Sequence, residues 1–325
     1  MTAGRVTFVL LLLVALGAGI GVYTDVSNLA EQIVTFAWWT VAPALALAFS
    51  NYVCRFGKWH YFLKVVGYRP ELNDSGLVFF SGLAMSVTPG KLGEVLKSYL
   101  LKQTSDVPAA ASVPVVVAER LTDMLALLVL AAFGVATLGY GGDIMAAAVA
   151  ICLLVLVPVL WRGCGEWLLD LAAKAPLLSN KREWLGQLRD TMYTLVGARS
   201  LAAGTVISVV AWFAECLSFW FILHGVGAQV TLADAVFAYS LGTIAGAVTM
   251  LPGGLIATEA SMVFLIAELF GRASPSQAVT AVLLVRLCTL WFAVLVGALA
   301  LARIRKKLGG VDISGKLPQI TQESG

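Results

Sequence analysis

The chain has 325 residues, 59% of them hydrophobic and 13% charged, with a formal net charge of +3 and a mean hydropathy of +0.88. A soluble domain carries about 25% charged residues, so this composition excludes a soluble enzyme and describes an integral membrane protein with no separate soluble domain. Five scattered cysteines and only two histidines, His60 and His224, give no metal-ligand spacing, and no cofactor or nucleic-acid motif is present.

A membrane-spanning helix needs about 20 mostly apolar residues. The first candidate, Val6–Tyr23, follows Arg5. It is longer than the core of a secretory signal and reads as a retained helix. The others are Ile33–Val53, Ser112–Leu138, Asp143–Trp161, Leu201–His224 and Ala278–Ala302. Two regions do not fit as single spans. Asp74–Lys102 is apolar only as far as Pro89, and Asp234–Phe270 is apolar but interrupted at Pro252-Gly253-Gly254. Each reads as a re-entrant hairpin, over residues 73–104 and 231–272, because irregular backbone at membrane depth is tolerated where it is buried or lines a wet cavity. The alternative is ordinary helix pairs and up to ten spanning helices.

Between the fourth and fifth spans, Trp184, Leu185, Leu188, Met192 and Leu195 recur at helical spacing, predicting amphipathic cytoplasmic helices within 163–200. The polar tail, 303–325, reads as disordered. Basic residues place the loops after the second, fourth and sixth spans in the cytoplasm: Arg55, Lys58 and Lys64, then Arg162 to Arg199, then Arg303 to Lys307. Both termini are then cytoplasmic, in an inner membrane.

The halves 1–140 and 141–302 repeat one order of features. Leu83 to Thr88 before Pro89-Gly90 matches Ile244 to Thr249 before Pro252-Gly253. Leu92 and Leu255 follow, then Glu94 and Glu259, then Arg120-Leu121 and Arg286-Leu287; Asp74 and Asp234 open the two hairpins. Counting crossings inverts one half relative to the other, the layout of many secondary transporters. The fold class is therefore an all-α integral membrane protein, six spans plus two hairpins in an inverted repeat.

Thr88-Pro89-Gly90 is a helix start, and an N-terminus at membrane depth attracts anions. Lys91 in its first turn adds charge, so a phosphate headgroup is the natural ligand. Glu94 and Lys97, one turn apart, can pair or face water. Glu119, Arg120, Asp123, Glu215 and Arg286 fall inside spans, where a charge costs about 2.5–3.5 kcal/mol on insertion scales. They need partners or water. The candidate substrate-binding set is Thr88, Pro89, Gly90, Lys91, Glu94, Lys97, Arg120, Asp123, Pro252, Gly253, Gly254, Glu259 and Arg286, with Glu119 and Glu215 as supporting or proton-carrying acids. The competing role for these charges is structural, as buried pairs such as Arg120 with Glu259 or Arg286 with Glu94.

The stretches Ser86-Val-Thr-Pro-Gly-Lys-Leu-Gly-Glu-Val-Leu-Lys-Ser-Tyr-Leu-Leu101, Glu119-Arg-Leu-Thr-Asp123 and Leu251-Pro-Gly-Gly-Leu-Ile-Ala-Thr-Glu-Ala260 resemble the lysylphosphatidylglycerol synthase transmembrane region family. That family includes the flippase half of the bacterial multiple peptide resistance factor, a hopanoid-associated protein and stand-alone relatives. The resemblance runs over about Val6 to Lys307. In the second hairpin the family often has Gly after Pro-Gly-Gly-Leu, where this chain has Ile256. With no lysyl-transfer domain in these residues, the resemblance implies movement of a lipid, not aminoacylation. The expected activity is a flippase, scramblase or transporter for a phospholipid or polyprenyl-phosphate-type lipid, without a cofactor. A lipid-modifying transferase or hydrolase, or a non-transporting partner subunit, is the alternative. The sequence is silent on oligomeric state.

Overall fold

The structure is a computed structural model that describes residues 26–88, 92–139, 142–143, 146–147, 149–150, 153, 182–249 and 251–308. The expected first span, most of the fourth, and Pro89, Gly90 and Lys91 lie outside these residues, as does the side chain of Glu94. Every regular element among the described residues is helical. In chain order they are α1 (Val26–Thr35), a 3-10 turn (Trp38–Thr40), α2 (Val41–Val65), α3 (Leu72–Leu83), α4 (Leu92–Ser105) and α5 (Ala109–Leu138). Then come α6 (Arg182–Leu195), α7 (Ala198–Gly225), α8 (Leu232–Val248), a 3-10 turn (Pro252–Gly254) and α9 (Ala257–Val263), which runs on as a π-helical turn (Phe264–Leu269). The last helix is α10 (Pro275–Arg286), a π-helical turn (Leu287–Trp291) and α11 (Phe292–Lys307).

Among the described residues, four stretches are long and apolar enough to cross a membrane: Ala109–Leu138, Ala198–Gly225, Pro252–Leu269 and Pro275–Lys307. Three coincide with expected spans. The fourth is the second arm of the second hairpin, so length alone leaves a full crossing open there. The second expected span needs correction. The chain breaks at Phe36-Ala37, and the helix that follows continues to Val65. Arg55, Lys58 and Lys64 therefore belong to α2 and do not form a loop. Lys58 is fully buried, because the helix delivers it to a carboxylate in the interior. The final helix likewise reaches Lys307, past the expected start of the tail. Its basic last turn suits the negative end of a helix dipole.

Several joints recur at one constant spacing. Gly67 (φ +91°) and Gly227 (φ +75°) end α2 and α7 in the left-handed conformation that glycine adopts without strain. The next amide closes each end, Tyr68 N–H donating to Leu63 C=O (2.9 Å) and Ala228 N–H to Leu223 C=O (3.0 Å). Leu72 and Leu232 then begin α3 and α8, with Asp74 and Asp234 in the first turns. Asp234 and Thr231 cap α8 reciprocally. Both aspartates also reach a cation: Asp74 pairs with Lys307, and Asp234 lies 3.6 Å from Arg272.

The long helices α2 and α7 pack antiparallel. Ser218 Oγ donates to Ala44 C=O (3.1 Å), Asn51 Nδ2 to Ala211 C=O (2.8 Å), and Lys58 Nζ to Ser208 Oγ (2.7 Å). Asn51 and Ala211, which meet here, are separated by the same spacing as the recurring joints. The outer packing is reciprocal. Helix α5 lies on α8, where a methyl on Gly134 would be 2.6 Å from Phe237 Cβ. Helix α11 lies on α3, where a methyl on Gly297 would be 2.1 Å from the Ala84 nitrogen. One glycine in each long helix thus admits the first arm of the other half's hairpin.

Candidate functional site

Where the two hairpins meet, a cavity of about 280 Å³ opens. The turn after α3 and the Pro252–Gly254 turn touch across it: a methyl on Gly253 would stand 3.4 Å from Val87 Cγ1. The walls come from both halves. They include Tyr52 and Arg55 of α2, Thr88, Lys97 of α4, and Arg120 and Asp123 of α5. The second half supplies Trp212 and Glu215 of α7, Tyr239 of α8, Gly253, Gly254 and Arg286.

The charges form linked groups. Lys58 Nζ donates to Asp123 Oδ1 (2.6 Å), Ser208 Oγ (2.7 Å), Thr122 Oγ1 (3.1 Å) and Glu119 C=O (3.2 Å). The other oxygen of Asp123 lies 3.6 Å from Arg120 and 3.9 Å from Arg55. One carboxylate therefore holds three cations from two helices. A second group ties the first hairpin down: Lys97 Nζ donates to Glu119 Oε2 (2.8 Å) and stands 4.5 Å above the Trp59 ring. A third ties the second: Arg286 Nε lies 2.6 Å from Glu259 Oε1, and its NH2 donates to Gly253 C=O.

These contacts revise several expectations. Lys97 does not face water; it is 4% exposed, because Glu119 waits inside. Arg286 pairs with Glu259 within its own half, and Arg120 contacts Asp123 on its own helix, because residues three apart share a helix face. The structure brings Thr88, Lys97, Arg120, Asp123, Glu215, Gly253, Gly254 and Arg286 to the cavity wall. Glu119 and Glu259 stand behind it as counter-ions, and Pro252 is buried.

Sequence reasoning missed Tyr52, Arg55, Lys58, Trp212 and Tyr239. The signal was present in part. Tyr52, Arg55, Lys58 and Phe62 recur at three- and four-residue spacing past the end of the apolar run, the mark of a helix that carries on with one polar face.

The wall is rich in donors. Arg55 Nε and Trp212 Nε1 are buried without a hydrogen-bond acceptor among the described residues, and Arg55 stacks 5.5 Å from the Trp212 ring centre. Buried donors left open beside a cavity suit an anion. The Pro252–Gly254 turn adds strain: Ile256 has φ +75°, a value that costs a β-branched residue of order 1–3 kcal/mol.

The sequence profile described as "Lysylphosphatidylglycerol synthase TM region" matches residues 8–297. A UPF0104 membrane protein of Methanothermobacter thermautotrophicus is 24% identical over 231 residues, covering 64% of this chain and 68% of that protein. One of Methanocaldococcus jannaschii is 25% identical over 219 residues, covering 66% and 91%. The chain belongs to the lysylphosphatidylglycerol synthase TM region family, a family of membrane proteins.

Proposed function

We propose that this protein moves an anionic, phosphate-bearing lipid across the bilayer, as a flippase, scramblase or transporter. The observation that carries the reading is the arginine-lined cavity at the meeting point of both hairpin turns. Arg55, Arg120 and Arg286 come from three different helices, and a phosphate bound among them would receive forked donors from several sides. A volume of about 280 Å³ equals about nine water molecules. That suits a headgroup and leaves acyl chains outside, in the bilayer.

In this reading the halves 1–140 and 141–302 are an inverted repeat whose two-fold axis passes between Asn51 and Ala211. The hairpins are re-entrant. Arms α3 and α4, of 12 and 14 residues, extend roughly 18 and 21 Å at 1.5 Å per residue, short of the roughly 30 Å hydrocarbon core. Both termini are cytoplasmic in an inner membrane. Transport fits the site better than bond chemistry, since Glu119, Asp123 and Glu259 are each committed to a cation and neither histidine lines the cavity.

Lipids that survive purification test the reading. Mass spectrometry of the parent protein should find a phosphate-bearing lipid enriched over the host membrane. Arg286→Ala should lose that enrichment while inserting normally. Equal lipid profiles for the two proteins, or enrichment of a neutral lipid, would refute it.

A further inference from the structure

Among the described residues, four carboxyl groups lie at or behind the cavity wall, and one is unlike the others. Glu119, Asp123 and Glu259 each contact a lysine or arginine within 2.8 Å. Glu215, 5% exposed, has no ion pair among the described residues. Its described partner is neutral: Tyr239 donates from its hydroxyl to Oε2 at 2.6 Å. Oε1 has no protein donor among the described residues, and the side chain lines the cavity. The charged groups facing it are Arg55 from α2, Asp123 from α5 and Arg286 from α10; Tyr52, Tyr239 and Cys216 are the neutral titratable ones. Arg55 and Arg286 are the same guanidinium groups that the transport reading gives to the phosphate.

We propose that Glu215 is a proton-binding site, and that the protein carries one proton together with each anionic headgroup. The inference rests on the transport reading and supplies its driving force. Burial works against the ionised carboxylate, and while the cavity is empty the Tyr239 hydroxyl and the guanidinium groups of Arg55 and Arg286 act in its favour. A phosphate bound to those arginines cancels that field, and a buried carboxylate without a cation takes up a proton. The step adds one proton to Oε1, converts carboxylate to carboxylic acid, and needs no other reactant. Linkage is reciprocal, so the proton in turn tightens phosphate binding. Both leave together on the other side, and a monoanionic lipid with one proton crosses without net charge.

The test uses the full chain in proteoliposomes containing fluorescent phosphatidylglycerol, with leaflet distribution read by chemical quenching. With an imposed pH difference and no membrane potential, the labelled lipid should gather in the leaflet facing the alkaline side. One-to-one coupling sets that ratio at about tenfold per pH unit. Glu215→Gln should abolish the bias. A second readout works in micelles: adding phosphatidylglycerol to the weakly buffered parent should draw protons from solution, and Glu215→Gln should not. Tyr239→Phe, which keeps the carboxyl group, should shift the pH at which uptake occurs. Lipid movement with equal leaflets despite the gradient overturns the inference and leaves transport standing. A bias retained by Glu215→Gln overturns it too. No lipid movement under any condition sinks the transport reading, and this inference with it.

Discussion

The two hairpins are held by ion pairs of opposite polarity. In the first, the cation, Lys97, sits on the hairpin arm and the acid, Glu119, on the long helix. In the second, the acid, Glu259, sits on the arm and the cation, Arg286, on the long helix. Each bond joins a hairpin arm to the long helix that follows it, at different residues and with opposite sign, so fixing the arm to the helix is the common requirement. The two bonds also differ in what they face. Glu119 is fully buried, and Lys97, which reaches the cavity wall, is flanked by the Trp59 and Phe79 rings. Arg286 opens onto the cavity, bonds the Gly253 carbonyl and stands directly before a π-helical turn. Such turns occur often at functional sites. The first pair is a lock; the second is a contact that a ligand can share.

The strongest way to break this comparison is to remove the buried acid of the lock. Glu119→Ala should destabilise the protein by about 3–5 kcal/mol, because it takes the buried carboxylate away from the Lys97 ammonium. Thermal unfolding in detergent would measure it. Replacing both partners, as Lys97→Met with Glu119→Leu, should recover most of that loss. If the double variant is no more stable than Glu119→Ala, the pair is not simply a lock. Arg286→Ala should cost less, about 1–3 kcal/mol, since cavity water can reach Glu259, yet it should remove transport.

The reciprocal glycines sharpen the same contrast. Gly297→Ala should cost more than Gly134→Ala, each within about 1–3 kcal/mol. The added methyl at 297 meets the Ala84 backbone nitrogen at 2.1 Å, while at 134 it meets Phe237 Cβ at 2.6 Å. Unfolding temperatures in the reverse order would contradict the packing. The smallest expected effect is a gain. Ile256→Gly should stabilise by about 1 kcal/mol, as relief of the strain at φ +75° is partly offset by the entropy of glycine. A fall in unfolding temperature would mean that the isoleucine side chain contributes more than its backbone conformation costs.

Composition and apolar run length were enough to read the helical membrane class and the long helices α5, α7 and α10–α11, because those segments carry little charge. They misplaced α2. Its inner half holds Arg55 and Lys58, and a hydropathy reading treats such residues as loop, although both point into a polar interior. The charged site residues were legible because intramembrane charge is costly and so seldom accidental. Their partners were not, since which carboxylate meets which cation depends on helix rotation and on contacts between distant residues. Ile256 was visible as a departure from the family's usual glycine. That the backbone keeps a positive φ there required the structure.

Transport of labelled phosphatidylglycerol through proteoliposomes by single variants tests the central claim, that the cavity between the hairpins is the headgroup path. Arg120→Ala and Arg286→Ala should fall to the rate of empty vesicles. Lys102→Ala, on the exposed side of α4, should stay near the parent, because water replaces a surface charge and not a desolvated one. If the parent moves the lipid and all three variants keep its rate, the headgroup crosses elsewhere.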